Sequence, residues 1–182
     1  AGNPSSLHQG GQRAKRWLEQ ARRQVAALIH ATPAEVCFTS CGTESNNWAL
    51  RGLLAANKRK GNHLVISAIE HPSISLAARR LEGEGAARVT VLPVDRDGFV
   101  SPSDLKAALT PETVLVSVML ANGEVGTIEP IRELAAIAHE HGALFHTDAI
   151  AAVGHVPVDV TSLGDDALSL AANQFYGPPG AA

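Results

Sequence analysis

The stretch "TVLVSVML", residues 113–120, is apolar at every position except Thr113 and Ser117. A strand with one face in water would alternate polar and apolar side chains; this run does not, as expected of a strand covered on both faces. Working outward, Ser101 to Leu109 reads as a short helix, with a Ser-x-x-Asp start (Ser101 to Asp104) that resembles a capping box. On the other side Glu129 to His141 has helical period and is closed by Gly142. Further strands are expected at "EVCFTS" (35–40), "HLVISA" (63–68), "RVTVLPV" (88–94), "ALFHTD" (143–148) and "ALSLA" (167–171). Helices are expected over Gln12 to Ala31, Thr43 to Asn57 and Pro72 to Leu81. The first of these puts Trp17, Leu18, Ala21, Val25, Leu28 and Ile29 on one face. Six strands separated mostly by helices predict an α/β fold, a mostly parallel sheet flanked by helices.

A chain of 182 residues with 45% hydrophobic and 18% charged side chains suits one soluble globular domain with a sizeable core. A net charge of -3 and a pI near 6.2 give no reason to expect nucleic acid as a partner. The one basic run, Lys58-Arg59-Lys60, falls where a helix should end, and cations there complement the helix dipole. Aromatics at 4% offer few stacking platforms for bases. No apolar run approaches the roughly 18 residues of a membrane span, and no signal-peptide pattern opens the chain, so the expected location is cytoplasmic. Cys37 and Cys41 do not make a disulfide framework. Cys37, inside an expected strand, reads as a small buried hydrophobe. No metal site is expected: His139 and His141, two apart, do not share a helix face, and His146 belongs to a strand.

Ligands of parallel sheets sit beyond the carboxyl ends of the strands, so what each strand delivers there matters most. The first expected strand delivers Gly42, which permits close approach, and Thr43, which opens a helix whose free N–H groups suit a phosphate. Thr43 is equally suited to be a plain N-cap. The second delivers Glu70-His71-Pro72, the fourth Asn122-Gly123-Glu124 and the fifth Asp148. A phosphate cradle, a flat ring and a carboxylate able to hold a protonated heterocyclic nitrogen are what pyridoxal phosphate needs.

The segments "GNPSSLHQGG" (2–11), "CFTSCGTESNN" (37–47), "EHPSI" (70–74), "ANGEVGTIEPI" (121–131), "HGALFHTDAIAAVG" (141–154) and "NQFYGPPG" (173–180) resemble, in order and spacing, the class V, fold-type I pyridoxal-phosphate enzymes. Among these the chain is most similar to cysteine desulfurases of the NifS/IscS type. The resemblance covers the whole chain and implies a large cofactor domain with a mixed seven-stranded sheet, a homodimer, and descent from enzymes that take sulfur from cysteine for iron–sulfur clusters and thiolated tRNA. It also implies that 1–182 is this large domain, incomplete at both ends and without the small C-terminal domain.

The resemblance assigns Gly42 and Thr43 to the phosphate turn, His71 to stacking on the pyridine ring and Asp148 to the ring nitrogen. It also exposes departures. Gly123 stands where the family has an Asn touching substrate and cofactor, and Ala151 where a Gln bonds the phenolic oxygen. The closing Ser-x-His-Lys reads Ala171-Ala172-Asn173-Gln174. Gln174 replaces the lysine of the Schiff base, and a carboxamide nitrogen cannot form an imine. The last lysine of the chain is Lys106. Neither cysteine corresponds to the family's sulfur acceptor. The expectation is therefore a catalytically inactive desulfurase-like domain. The alternatives are a module that holds pyridoxal phosphate or another phosphate ester without a covalent bond, or one part of an enzyme completed by a second chain.

Overall fold

The apolar run that starts at Thr113 takes the middle of the sheet. In a computed structural model that describes residues 2–182, Thr113–Ser117 (β3) is buried at every position. It is flanked on one side by His63–Ser67 (β1) and then Arg88–Leu92 (β2). On the other side lie Leu144–Asp148 (β4) and Ala167–Ser169 (β5). Every pairing is parallel, in the order β2-β1-β3-β4-β5. The chain thus runs from β1 outward to β2, then returns past β1 to β3. That reversal places the topological switch between β1 and β3, where the carboxyl ends of the strands leave a crevice.

Helices cover both faces, which is why β1 and β3 carry so few polar residues. One layer contains Gly42–Ala56 (α2) and Pro72–Gly83 (α3), whose Leu50, Leu54, Ile74, Ala78 and Leu81 meet Leu64, Ile66 and Leu115 of the sheet. The opposite layer contains Pro102–Ala108 (α4) and Ile131–Glu140 (α5). There Leu105, Ile131, Leu134 and Ala138 close on Val65, Val116 and Phe145. Phe145 is fully buried; an aromatic ring so placed contributes roughly 1.5–3 kcal/mol relative to exposure. A four-residue helix, Val160–Leu163 (α6), precedes β5.

Three sequence expectations are corrected. The segment 35–40 is not a strand of the sheet, which has five strands among the described residues rather than six, or the seven of the family resemblance. Its ladder is a single reciprocal pair, Thr39 N–H to Ala182 O at 2.8 Å and Ala182 N–H to Thr39 O at 3.0 Å, too short to count as a strand. Cys37 is exposed rather than buried: the segment turns Val36 inward and lays Phe38 under the Arg22 guanidinium of the first helix, which leaves Cys37 on the outer side. Finally, the first helix, Gln9–Leu28 (α1), does not bury the face its periodicity marks. Trp17 is 59% exposed and Leu28 44%, and of the six residues named only Ile29 is buried. The helix leans on the short turn Pro33–Glu35 instead of the sheet, and Arg13 covers the Trp17 ring at 4.6 Å. The other helices fall within two residues of their expected ends. Ser101 does cap α4, accepting from the Asp104 N–H at 3.5 Å.

Candidate functional site

At the switch point the strand ends and the start of α2 enclose a cleft of about 770 Å³. All nine positions singled out from the sequence line it: Gly42, Thr43, His71, Gly123, Asp148, Ala151, Ala171, Asn173 and Gln174. They come from five separate stretches of chain, so only the closed sheet brings them together.

The start of α2 differs in detail from expectation. The N-cap is Cys41, not Thr43, and its side chain makes no capping bond. Glu44 instead reaches back outside the helix, accepting from the Ser40 N–H at 2.7 Å and the Ser40 hydroxyl at 2.5 Å. No side chain caps the start of this fifteen-residue helix, and its first residues, Gly42 and Thr43, line the cleft, an arrangement that suits an anion. A Cβ at Gly42 would meet the tip of the Ile150 side chain, which projects from just beyond β4, and that side chain would have to move aside.

His71 caps α3. Its Nδ1 accepts from the Ser73 N–H at 3.1 Å and pairs with the Ser73 hydroxyl at 2.7 Å, which leaves the proton of the neutral ring on Nε2. Asp148, at the last position of β4, is 3% exposed. Its Oδ1 accepts from the Ile150 N–H at 3.0 Å and its Oδ2 from Asn46 Nδ2 at 2.7 Å. Burial pushes the Asp148 carboxyl above its ordinary range, while these two bonds and the nearby His71 work the other way. A buried carboxylate so placed is suited to a protonated ring nitrogen.

Asn46 ties the two together. The same amide nitrogen that holds Asp148 also donates to the Ser73 hydroxyl at 2.9 Å, and Ser73 in turn fixes the His71 ring. Neither Asn46 nor Ser73 was assigned a role from the sequence. The signal was available in part, since Asn46 lies one helical turn beyond Gly42 and shares its face. Glu70 is the third omission. It is 8% exposed, and its Oε1 accepts from the Ser67 hydroxyl at 2.7 Å and the Met119 N–H at 2.8 Å, stapling the ends of β1 and β3. Burial pushes this carboxyl up to about 8, with Asp148 and Glu129 adding to the effect against its two hydrogen bonds.

The substituted positions cluster. Gly123 and Ala151 face each other closely enough that a Cβ on Gly123 would lie 3.6 Å from that of Ala151, so two small residues open one corner of the cleft. Asn173 and Gln174 sit on the short turn Ala172–Phe175 at another edge. No lysine or arginine lines the cleft among the described residues. The residues present therefore fit the ring and the anionic end of a pyridoxal phosphate, but not its aldehyde, which has no amine to meet.

The histidines considered for a metal go elsewhere. His139 pairs with Asp166 Oδ2 at 2.8 Å, His141 with the Ile137 carbonyl at 2.9 Å, and His146 lies inside the sheet between Ser117 and Ser169. No helix among the described residues is long and apolar enough to cross a membrane.

Comparison with known proteins agrees with the geometry. The family model for class-V aminotransferases matches residues 1–182. A cysteine desulfurase IscS from Clostridium botulinum (strain Kyoto) is 50% identical over 179 residues, 98% of this chain and 45% of the relative. Among solved structures, a NifS-like protein superposes with a TM-score of 0.95 at 35% identity, covering 99% of this chain and 50% of that one. Another, described as SspA in complex with cysteine, gives a TM-score of 0.93 at 35% identity, covering 98% and 51%. The chain spans about half the length of the curated relatives it matches.

Proposed function

The chain belongs to the class-V aminotransferase family, and on that premise we propose that it is the cofactor domain of a cysteine-desulfurase-like protein that does not carry out the family's covalent chemistry. The observation behind this reading is the cleft itself: Gln174 occupies its edge and, among the described residues, no lysine lines it. The family reaction, removal of sulfur from cysteine to leave alanine and an enzyme persulfide, begins on a lysine imine, and a carboxamide cannot supply one. Cys41 lines the cleft at the start of α2, a position that does not correspond to the family's sulfur acceptor. Similarity to the desulfurases also supports a cytoplasmic homodimer as the working form. Completion by a second chain would serve only if that chain brought an amine.

A second reading is favoured by the intact half of the site. Asp148, His71 and the uncapped start of α2 surround one cleft and would hold a pyridoxal-type ring and its phosphate without a covalent bond. One experiment tests both: add pyridoxal phosphate, reduce with borohydride and map the peptides by mass. The expected outcome is a saturable spectral change with no adduct. A stoichiometric adduct on one defined lysine would overturn the inactive reading, and no saturable change at all would overturn the binding one.

A further inference from the structure

We propose that a cavity at the opposite end of the sheet from the cleft is a second binding site, one that takes a compact polyphosphate. It does not depend on how the cleft is occupied. The cavity measures about 690 Å³ and opens where β1, β2 and β3 begin, beside the last turns of α2 and α3. Arg51, Lys58, Arg59 and Lys60 line it, and among the described residues Glu112 is the only carboxylate that does so. The chain carries more acidic than basic residues, 18 against 15, so four cations around one cavity run against its overall balance. Buried Leu54 and Leu81 form part of the wall, and walls of low polarity focus the field of charges gathered beside them.

The fold itself makes little use of these cations. The run Lys58-Arg59-Lys60 lies past the end of α2, which stops at Ala56 and has no basic residue in its last turn. Asn57 does the capping: its N–H donates to the carbonyls of Leu53 at 3.2 Å and Leu54 at 3.3 Å, and its side chain to that of Leu53 at 2.8 Å. Among the described residues, Lys58 and Arg59 make no side-chain hydrogen bond and no ion pair. Lys60 donates to the Gly142 carbonyl, and Arg51 shares Glu84 with Arg80. The turn that presents the run is fixed. The Lys60 N–H donates to the Asn57 carbonyl at 2.9 Å, and Gly61 lies so close to the Glu112 backbone that a Cβ would collide with it. Like charges held together on such a turn repel one another, and a polyanion relieves that repulsion. Arginine offers paired N–H donors to phosphate oxygens, and lysine a point charge. No aromatic side chain among the described residues lines the cavity, so a strand of bases finds no stacking surface there.

Inorganic tripolyphosphate and adenosine triphosphate, both free of metal, are the probes. They share the phosphate chain, and only the second has a body to lie on the apolar wall. Titration calorimetry of the full chain is expected to show one saturable site that weakens as salt is added. The site should persist in the presence of pyridoxine phosphate, which has no aldehyde to react with surface lysines and addresses the cleft alone. Lys58→Ala combined with Arg59→Ala should weaken binding about tenfold, the loss of two exposed charged contacts. Arg16→Ala combined with Arg23→Ala removes the same charge from α1 and should change binding by less than about twofold. All four side chains are exposed, so circular dichroism should be unchanged in both variants. Tighter binding of adenosine triphosphate would identify an organic ester as the ligand, and tighter binding of tripolyphosphate the bare chain. No saturable heat, an equal loss in the two variants, or displacement by pyridoxine phosphate would each overturn the proposal.

Discussion

Two buried polar regions of this sheet treat hydrogen bonds in opposite ways. Within the sheet, His63 bonds the hydroxyls of Thr113 and Thr90, both at 2.8 Å, and His146 bridges the hydroxyls of Ser117 at 2.9 Å and Ser169 at 3.1 Å. Both imidazoles use both nitrogens. At the carboxyl ends of the strands, a few residues further on, Glu70 Oε2 and Asn46 Oδ1 are buried and unpartnered. The first region is complete on its own and serves stability. The second leaves two polar atoms unpaired, a cost the fold also carries away from the cleft at Asp165 Oδ1, just before β5.

The contrast can be broken most forcefully from its complete side. His146→Ala should lower unfolding free energy by roughly 3–4 kcal/mol in urea denaturation, because it opens a cavity and strands two serines. The next effect is on pH. Burial holds His63 and His146 down to about 4, below the ordinary value of 6.5. Their contribution is present above pH 6.5 and is lost as pH falls through 4. Glu70 has the opposite sign: its carboxyl is raised from 4.5 to about 8, so its contribution is full below pH 4.5 and is lost as pH rises through 8. Thermal unfolding followed across pH should therefore weaken on both flanks, and Glu70→Gln should remove the alkaline loss while leaving the acid one.

Smaller effects sharpen the same distinction. Asn46→Ala should cost roughly 1–3 kcal/mol, since it releases both Ser73 and Asp148, and the same substitution should weaken ligand binding. Asp148→Asn should change stability by less than about 1 kcal/mol, because it removes a buried charge along with its attractions. Its ligand titration should nevertheless be flattened. A large loss of stability in Asp148→Asn would mean that the cleft is merely another part of the core.

The parts of this picture legible in the sequence are those carried by local pattern. The unbroken apolar run of β3 marks a doubly covered strand, and the periods around it mark α4 and α5. His71 stands out because it follows β1 and Asp148 because it ends β4, whereas Thr43 stands out only because the stretch before it has the composition of a strand. Pattern fails where the partner is remote. The apolar face of α1 is clear from its period, yet period does not say what covers it, and the sheet does not. Segment 35–40 looks like a strand by composition, but a strand is defined by its neighbours. Asn46 is an ordinary helix residue until β4, 102 residues away, brings Asp148 to it. The free oxygen of Glu70 is less legible still, because it depends on both local bonds converging on the other oxygen.

That 102-residue bond has a consequence for time as well as for structure. Ser45 donates to Ser169 across 124 residues, so α2, one of the earliest elements in the chain, is held against two of the last strands. Closing loops of such length is slow compared with forming a helix, and parallel pairing lengthens the wait. The cleft should thus be among the last features to mature during refolding. In a stopped-flow experiment, far-ultraviolet ellipticity should recover first and ligand capture should follow with a measurable lag, making the ligand a clock for the finished fold.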